Sequence, residues 1–151
     1  MESSIKRETI LAAAREIMDG QKYCAIVTVD LRGTPQIRTM NPFPPEADMT
    51  VWMATNSRSR KVREIRGNPN VSLYYADHAN ATGSVTIHGK AHLVDDPAEK
   101  AKRKREYWTE AFPDWQYLIL IKVVPERLEL LNYAKGLNND PATFESPSLD
   151  L

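Results

Sequence analysis

Apolar residues recur at helical spacing early in the chain and at alternating spacing after that. Over 3–19, Ile5, Ile10, Leu11, Ala14, Ile17 and Met18 form one stripe, which predicts a helix. Ser3 or Ser4 is placed to cap it and Asp19-Gly20 to end it. From Lys22 the period shortens. "KYCAIVTVD" is rich in β-branched and aromatic residues and predicts a strand. "LRGTP" turns the chain, and "QIRTMNPF" predicts a second strand that forms a hairpin with the first. "PPEAD" then interrupts, because proline cannot donate to a ladder.

"MTVWMAT" (49–55) predicts a third strand, followed by a short helix over 58–66 that Gly67 and Pro69 close. "NVSLYYAD" (70–77) predicts a fourth strand. In "GSVTIHGKAHLVDD" (83–96), Val85, Ile87, Ala91 and Leu93 alternate with Ser84, Thr86, His88, Lys90 and His92, and Gly89 marks a bend or bulge. Residues 96–112 predict a helix with proline in its first turn. "WQYLILIKVVPERLELLNY" (115–133) predicts a last long strand, or two joined at Pro125. From Lys135 the composition is that of turns and a tail, either poorly ordered or draped on a surface. The expected organisation is one domain over 1–134 and a C-terminal tail over 135–151. Strands joined by short turns or one brief helix favour a mainly β fold, a curled six-stranded antiparallel barrel with peripheral helices, over a parallel doubly wound sheet.

Length and composition agree with that fold. A chain of 151 residues, 42% hydrophobic and 26% charged, suits one globular domain with a real core. Lys+Arg and Asp+Glu are 20 each, so any basic patch is local, and a dedicated nucleic-acid binder would be clearly basic. A single cysteine, Cys24, excludes an intrachain disulfide and a cysteine-based zinc site, and its apolar setting makes it a small core residue. With no signal-like segment or membrane-length apolar run, the expectation is a soluble cytoplasmic protein without a membrane partner.

The charge is unevenly placed. Arg58, Arg60, Lys61, Arg63 and Arg66 crowd the helix after the third strand, and the first three fall in or beside its first turn. Cations there oppose the helix dipole, at ~0.3–1 kcal/mol each. A bound anion reverses that sign, because free N–H groups, a hydroxyl and two cations hold a phosphate well. The bland alternative is a solvated basic helix, with its charges screened. Arg38 lies mid-strand with Gln36 and Met40 on its face and Ile37 and Thr39 on the other. It can join a phosphate site if strands two and three are adjacent, as sequential strands often are.

The strings "RTM", "VWMATNSRSRKVREIRGNPNVSLYY" and "SVTIHGKAHLVDD" resemble the pyridoxamine-5′-phosphate-oxidase-like FMN-binding split β-barrels, closest to the branch called general stress protein 26. The resemblance covers roughly residues 5–133. It implies a homodimer with FMN at the interface. Carried over by position, Arg38, Ser59, Arg60 and Lys61 hold the FMN phosphate, and Thr39, Met40 and Thr55 line the ribityl and isoalloxazine portion. Ser84 stands where the oxidases contribute a longer glutamine from the partner chain. The oxidases' "R-I-E-F-W-Q" is here Arg127-Leu128-Glu129-Leu130-Leu131-Asn132, with Leu131 at the tryptophan position. The tail "KGLNNDPATFESPSLDL" holds neither arginine nor histidine, which the oxidases use for pyridoxal phosphate. The expectation is therefore FMN binding without true pyridoxamine-phosphate oxidase activity: a flavin-dependent oxidoreductase with an NAD(P)H or small-molecule partner, or a non-catalytic flavin-binding stress protein. No general acid or base stands out.

Other chemistry is weaker. His88 and His92 are ~13 Å apart along a straight strand and cannot share a metal, and no carboxylate cluster helps. A heme site would need one of the three histidines. "KAKRKRE" (100–106) has Glu99, Glu106 and Glu110 at helical spacings, the pattern of a salt-bridged solvated face. A small nucleic-acid-binding barrel would use both basic runs, but Tyr107, Trp108 and Phe112 are spaced to dock against the barrel.

Overall fold

The computed structural model describes residues 2–151, with side chains described from Lys6 onward. The chain forms α1 (Glu2–Asp19), β1 (Cys24–Val29), β2 (Pro35–Met40), β3 (Val51–Asn56), α2 (Arg60–Gly67), β4 (Asn70–Ala76) and β5 (Gly83–Val94). There follow α3 (Pro97–Arg103), α4 (Trp108–Ala111), β6 (Leu118–Asn132) and a short β7 (Ser148–Asp150). The expected stripe of α1 is buried at Ile10, Ala14, Ile17 and Met18. The side chains of Ser3, Ser4 and Ile5 lie outside those described.

All strand pairs are antiparallel, in the order β2-β1-β4-β5-β6-β3, with β7 also on β6. This is a mainly β half-barrel with a few helices, as the alternating pattern predicts. The β1–β2 hairpin forms around Asp30, whose carboxylate accepts from the Arg32 and Thr34 amides. Gly33 takes the left-handed conformation the turn requires (φ 80°).

Long β6 pairs with β5 along one edge and shares the other between β3 and β7. The register of β5 slips between His88 and Gly89, opposite Pro125. Proline brings no N–H to the ladder, and the slip lets β6 pass it unbroken. A Cβ on Gly89 would sit 2.2 Å from the Val124 carbonyl oxygen, so the close approach demands glycine.

The sequence expectations differ from the structure in three places. Strands β2 and β3 do not pair: they are opposite ends of the sheet, and prolines 42, 44 and 45 separate them. The helix expected over 96–112 breaks after Arg103, where Lys104 turns extended. There the Arg105 guanidinium donates to the Asn41 and Pro42 carbonyls and stacks 3.7 Å over Phe43. That turn delivers Trp108 into a satellite cluster with Trp52, Leu118 and Leu120, flanked by Phe43 and Phe112. Residues 115–117 form a 3-10 turn rather than the start of the last strand. The tail drapes over the sheet, with Leu137, Leu149 and Leu151 packed against the main core.

Candidate functional site

Helix α2 bridges the two free edges of the sheet. Its inner face buries Val62, Glu64 and Ile65. From its first turn Arg60 Nη2 donates to Gln36 Oε1 on β2 (2.9 Å), and Lys61 Nζ donates to Thr55 Oγ1 on β3 (2.8 Å). Arg38 meets the same helix from β2, with Nη2 2.8 Å from Glu64 Oε1. Arg38, Thr55, Ser59, Arg60 and Lys61 thus come together although β2 and β3 are not neighbours.

The start of α2 is unsatisfied. Ser59 is the N-cap, yet its side chain makes no capping bond, and its buried Oγ has no hydrogen-bond partner. No acidic residue stands in the first turn. Lys61 makes no ion pair with a described residue. Burial, reinforced by the like charge of Arg38 and only partly offset by Glu64, pushes its amine below the ordinary lysine range. Three cations (Arg38, Arg60, Lys61) face one carboxylate, a formal +2. A helix N-terminus, an orphaned hydroxyl and a desolvated ammonium with that excess fit a phosphate dianion.

The rest of the basic segment is used otherwise. Arg58 stacks 3.7 Å over the Tyr117 ring, while the Ser57 amide donates to the Tyr117 carbonyl. Arg63 donates to the Arg58 carbonyl, and Arg66 sits in the last turn, where the dipole favours a cation.

The remaining expected residues stand apart. Thr39 is exposed on the sheet face opposite Arg38. The Met40 side chain is in the core. Ser84 pairs with Ala76 and Leu131 at the far end of β5, lining a recess with Tyr74, His78 and Tyr133. Sequence reasoning missed Glu64, Thr28 and Gln36. Glu64 is a single acid in a basic run; its place between Val62 and Ile65 on the inward face was the available signal.

Cys24 is buried and its thiol is pushed up to about 12, which leaves it inert as a nucleophile. His88 shares a hydrogen bond with Ser72 (Nδ1 to Oγ 2.8 Å). Among the described residues no group of three or more His, Cys, Asp or Glu is placed to hold a metal, and no helix is long and apolar enough to cross a membrane.

General stress protein 26 of Bacillus subtilis (strain 168) is 26% identical over 133 residues, covering 85% of this chain and 92% of its own. The crystal structure of general stress protein 26 from Bacillus anthracis str. Sterne is 21% identical, with a TM-score of 0.71 over 93% of this chain and 97% of its own. A Clostridium acetobutylicum protein related to general stress protein 26 is 17% identical, with a TM-score of 0.78 over 95% of this chain and 96% of its own. These two structures show the fold. The family model described as pyridoxamine 5′-phosphate oxidase matches residues 10–131, from α1 through α2 to the end of β6, and this chain belongs to that family.

Proposed function

We propose that the chain binds FMN through its phosphate at the start of α2 and works as a flavin-dependent oxidoreductase. The observation that carries this reading is the Ser59 hydroxyl, buried without a partner beside the desolvated Lys61. Ser59 donates to the phosphate, and Lys61 and Arg60 supply its counter-charge, with Arg38 behind them. Thr55 orients Lys61. Because β2 is a free edge of the sheet, the ribityl and ring portion would pass over that edge from the phosphate site, where Thr39 lies on the outer face and Met40 offers its backbone. The bound flavin supplies electron acceptance and donation; the protein anchors it and sets the electrostatics around it. An NAD(P)H or small-molecule donor completes the reaction class, and anaerobic reduction of flavin-loaded protein by NADH or NADPH separates an enzyme from a flavin carrier.

The proposed assembly is a homodimer that packs the outer sheet face, so that Ser84 serves the partner's flavin. That face presents Ile37, 68% exposed, beside the half-buried Val27 and Val29. An exposed apolar strip of this kind suits a second copy better than water. Ile37→Lys removes little packing within one protomer, because most of the Ile37 side chain faces solvent there. It should convert a dimer to monomer in sedimentation while leaving the far-ultraviolet circular dichroism unchanged. A wild-type protein that sediments as a monomer at tens of micromolar would refute the dimer.

A further inference from the structure

Phosphate binding does not require Glu64, yet this carboxylate sits at the centre of the cationic cluster. Its side chain is 5% exposed, and a glutamate is almost never buried unless paired. Its two oxygens are divided. Oε1 accepts from the Thr28 hydroxyl and from Arg38 Nη2, both at 2.8 Å. Oε2 faces Arg60 Nε at 3.3 Å, an ion pair without a hydrogen bond. Burial is the largest single influence and by itself would raise its carboxyl, but the bonds from Arg38 and Thr28 together with the charges of Arg38 and Arg60 outweigh it, and the net shift is downward. The two arginines differ in freedom: the Arg38 side chain is 20% exposed, that of Arg60 61%. The cluster therefore contains groups that already hold an anion and groups, Ser59 and Lys61, that lack one.

An incoming phosphate drawn to Ser59 and Lys61 arrives next to Arg60, in sequence and along the same helical turn, and must share it with Glu64. Two anions in one partly dehydrated site repel, and that repulsion counts against the ligand. Without ligand the balance is opposite: Glu64 keeps three neighbouring cations from repelling one another. We propose that Glu64 is a built-in counter-anion, which holds Arg38 and Arg60 while phosphate is absent and weakens the grip on the FMN phosphate when it is present, so that the cofactor stays exchangeable. This rests on the flavin-phosphate reading above. A strut that merely orients the two arginines for phosphate would have the opposite sign on mutation.

The test is Glu64→Gln, whose amide oxygen can still accept from Thr28 and Arg38. FMN should bind about tenfold tighter to the variant than to wild type, the scale of one close like-charge contact removed. Riboflavin, which lacks the phosphate, should bind both alike, and inorganic phosphate added alone should raise the melting temperature of the variant more than that of wild type at the same concentration. The melting temperature of the ligand-free variant should fall, and its rise on adding FMN should be larger. Glu64→Asp, which keeps the charge but draws it back from Arg60, should tighten FMN by less, and it carries the test if the glutamine variant does not fold. FMN binding that is unchanged or weaker in the folded variants overturns the counter-anion role alone. A wild-type protein that binds neither FMN nor inorganic phosphate overturns the flavin reading and this proposal together.

Discussion

Lys61→Ala should weaken FMN binding about 10- to 100-fold, the range of one charge-assisted hydrogen bond, and leave riboflavin binding unchanged. Lys61 is the natural choice because its charge is uncommitted. It donates to Thr55 and makes no ion pair among the described residues, and both burial and Arg38 disfavour its ammonium. A phosphate would relieve that strain. Arg66→Ala is the control, since Arg66 lies at the other end of the same helix and should not alter FMN affinity. The phosphate's own titration adds a second signature. Its second proton binds at about pH 6, so wild-type FMN affinity should fall as pH drops from 7.5 to 5.5. Riboflavin affinity should stay flat over that interval. Equal losses of FMN and riboflavin in the Lys61 variant would show that the substitution damages the pocket as a whole.

Trp108→Ala should cost about 3–5 kcal/mol of stability, the usual range for deleting a buried tryptophan. In a domain of this size that lowers the melting temperature by roughly 10 °C. Trp108 is fully buried and meets the edges of Phe43 and Phe112, with ring centroids at 6.1 Å and 6.2 Å. Its indole N–H has no hydrogen-bond partner. Trp108→Phe should therefore recover most of the loss, because it keeps an aromatic filling and removes an unpaired polar group. If alanine were tolerated with a shift of only a degree or two, α3 and α4 would be loosely attached rather than pinned through the satellite cluster.

These two residues also mark what the sequence made readable. The segment from Thr55 to Lys61 was legible because its signals are local: a strand end, an N-cap serine, and cations where the dipole disfavours them. The β1–β2 hairpin and the slip at Gly89 were legible for the same reason, since turn residues and a glycine within an alternating run carry their meaning in place. The break after Arg103 was not. It depends on Arg105 finding the Asn41 and Pro42 carbonyls, more than sixty residues away in the chain, and no local propensity encodes that. The route by which Arg38 reaches the site was misread for a similar reason. Sequential strands often pair, but here the proline-rich connection sends β3 to β6, and α2 brings the two edges together. Glu64 was hidden by its context, because one acid among five basic residues reads as a solvated partner until its inward direction is known.

The most direct measurement of the central claim is titration of wild-type protein with FMN and with riboflavin, followed by flavin fluorescence. Two or more phosphate contacts at the start of α2 should make FMN bind at least about 100-fold tighter than riboflavin. Equal affinities for the two flavins, or binding of neither, would contradict a phosphate site built from Ser59, Arg60 and Lys61.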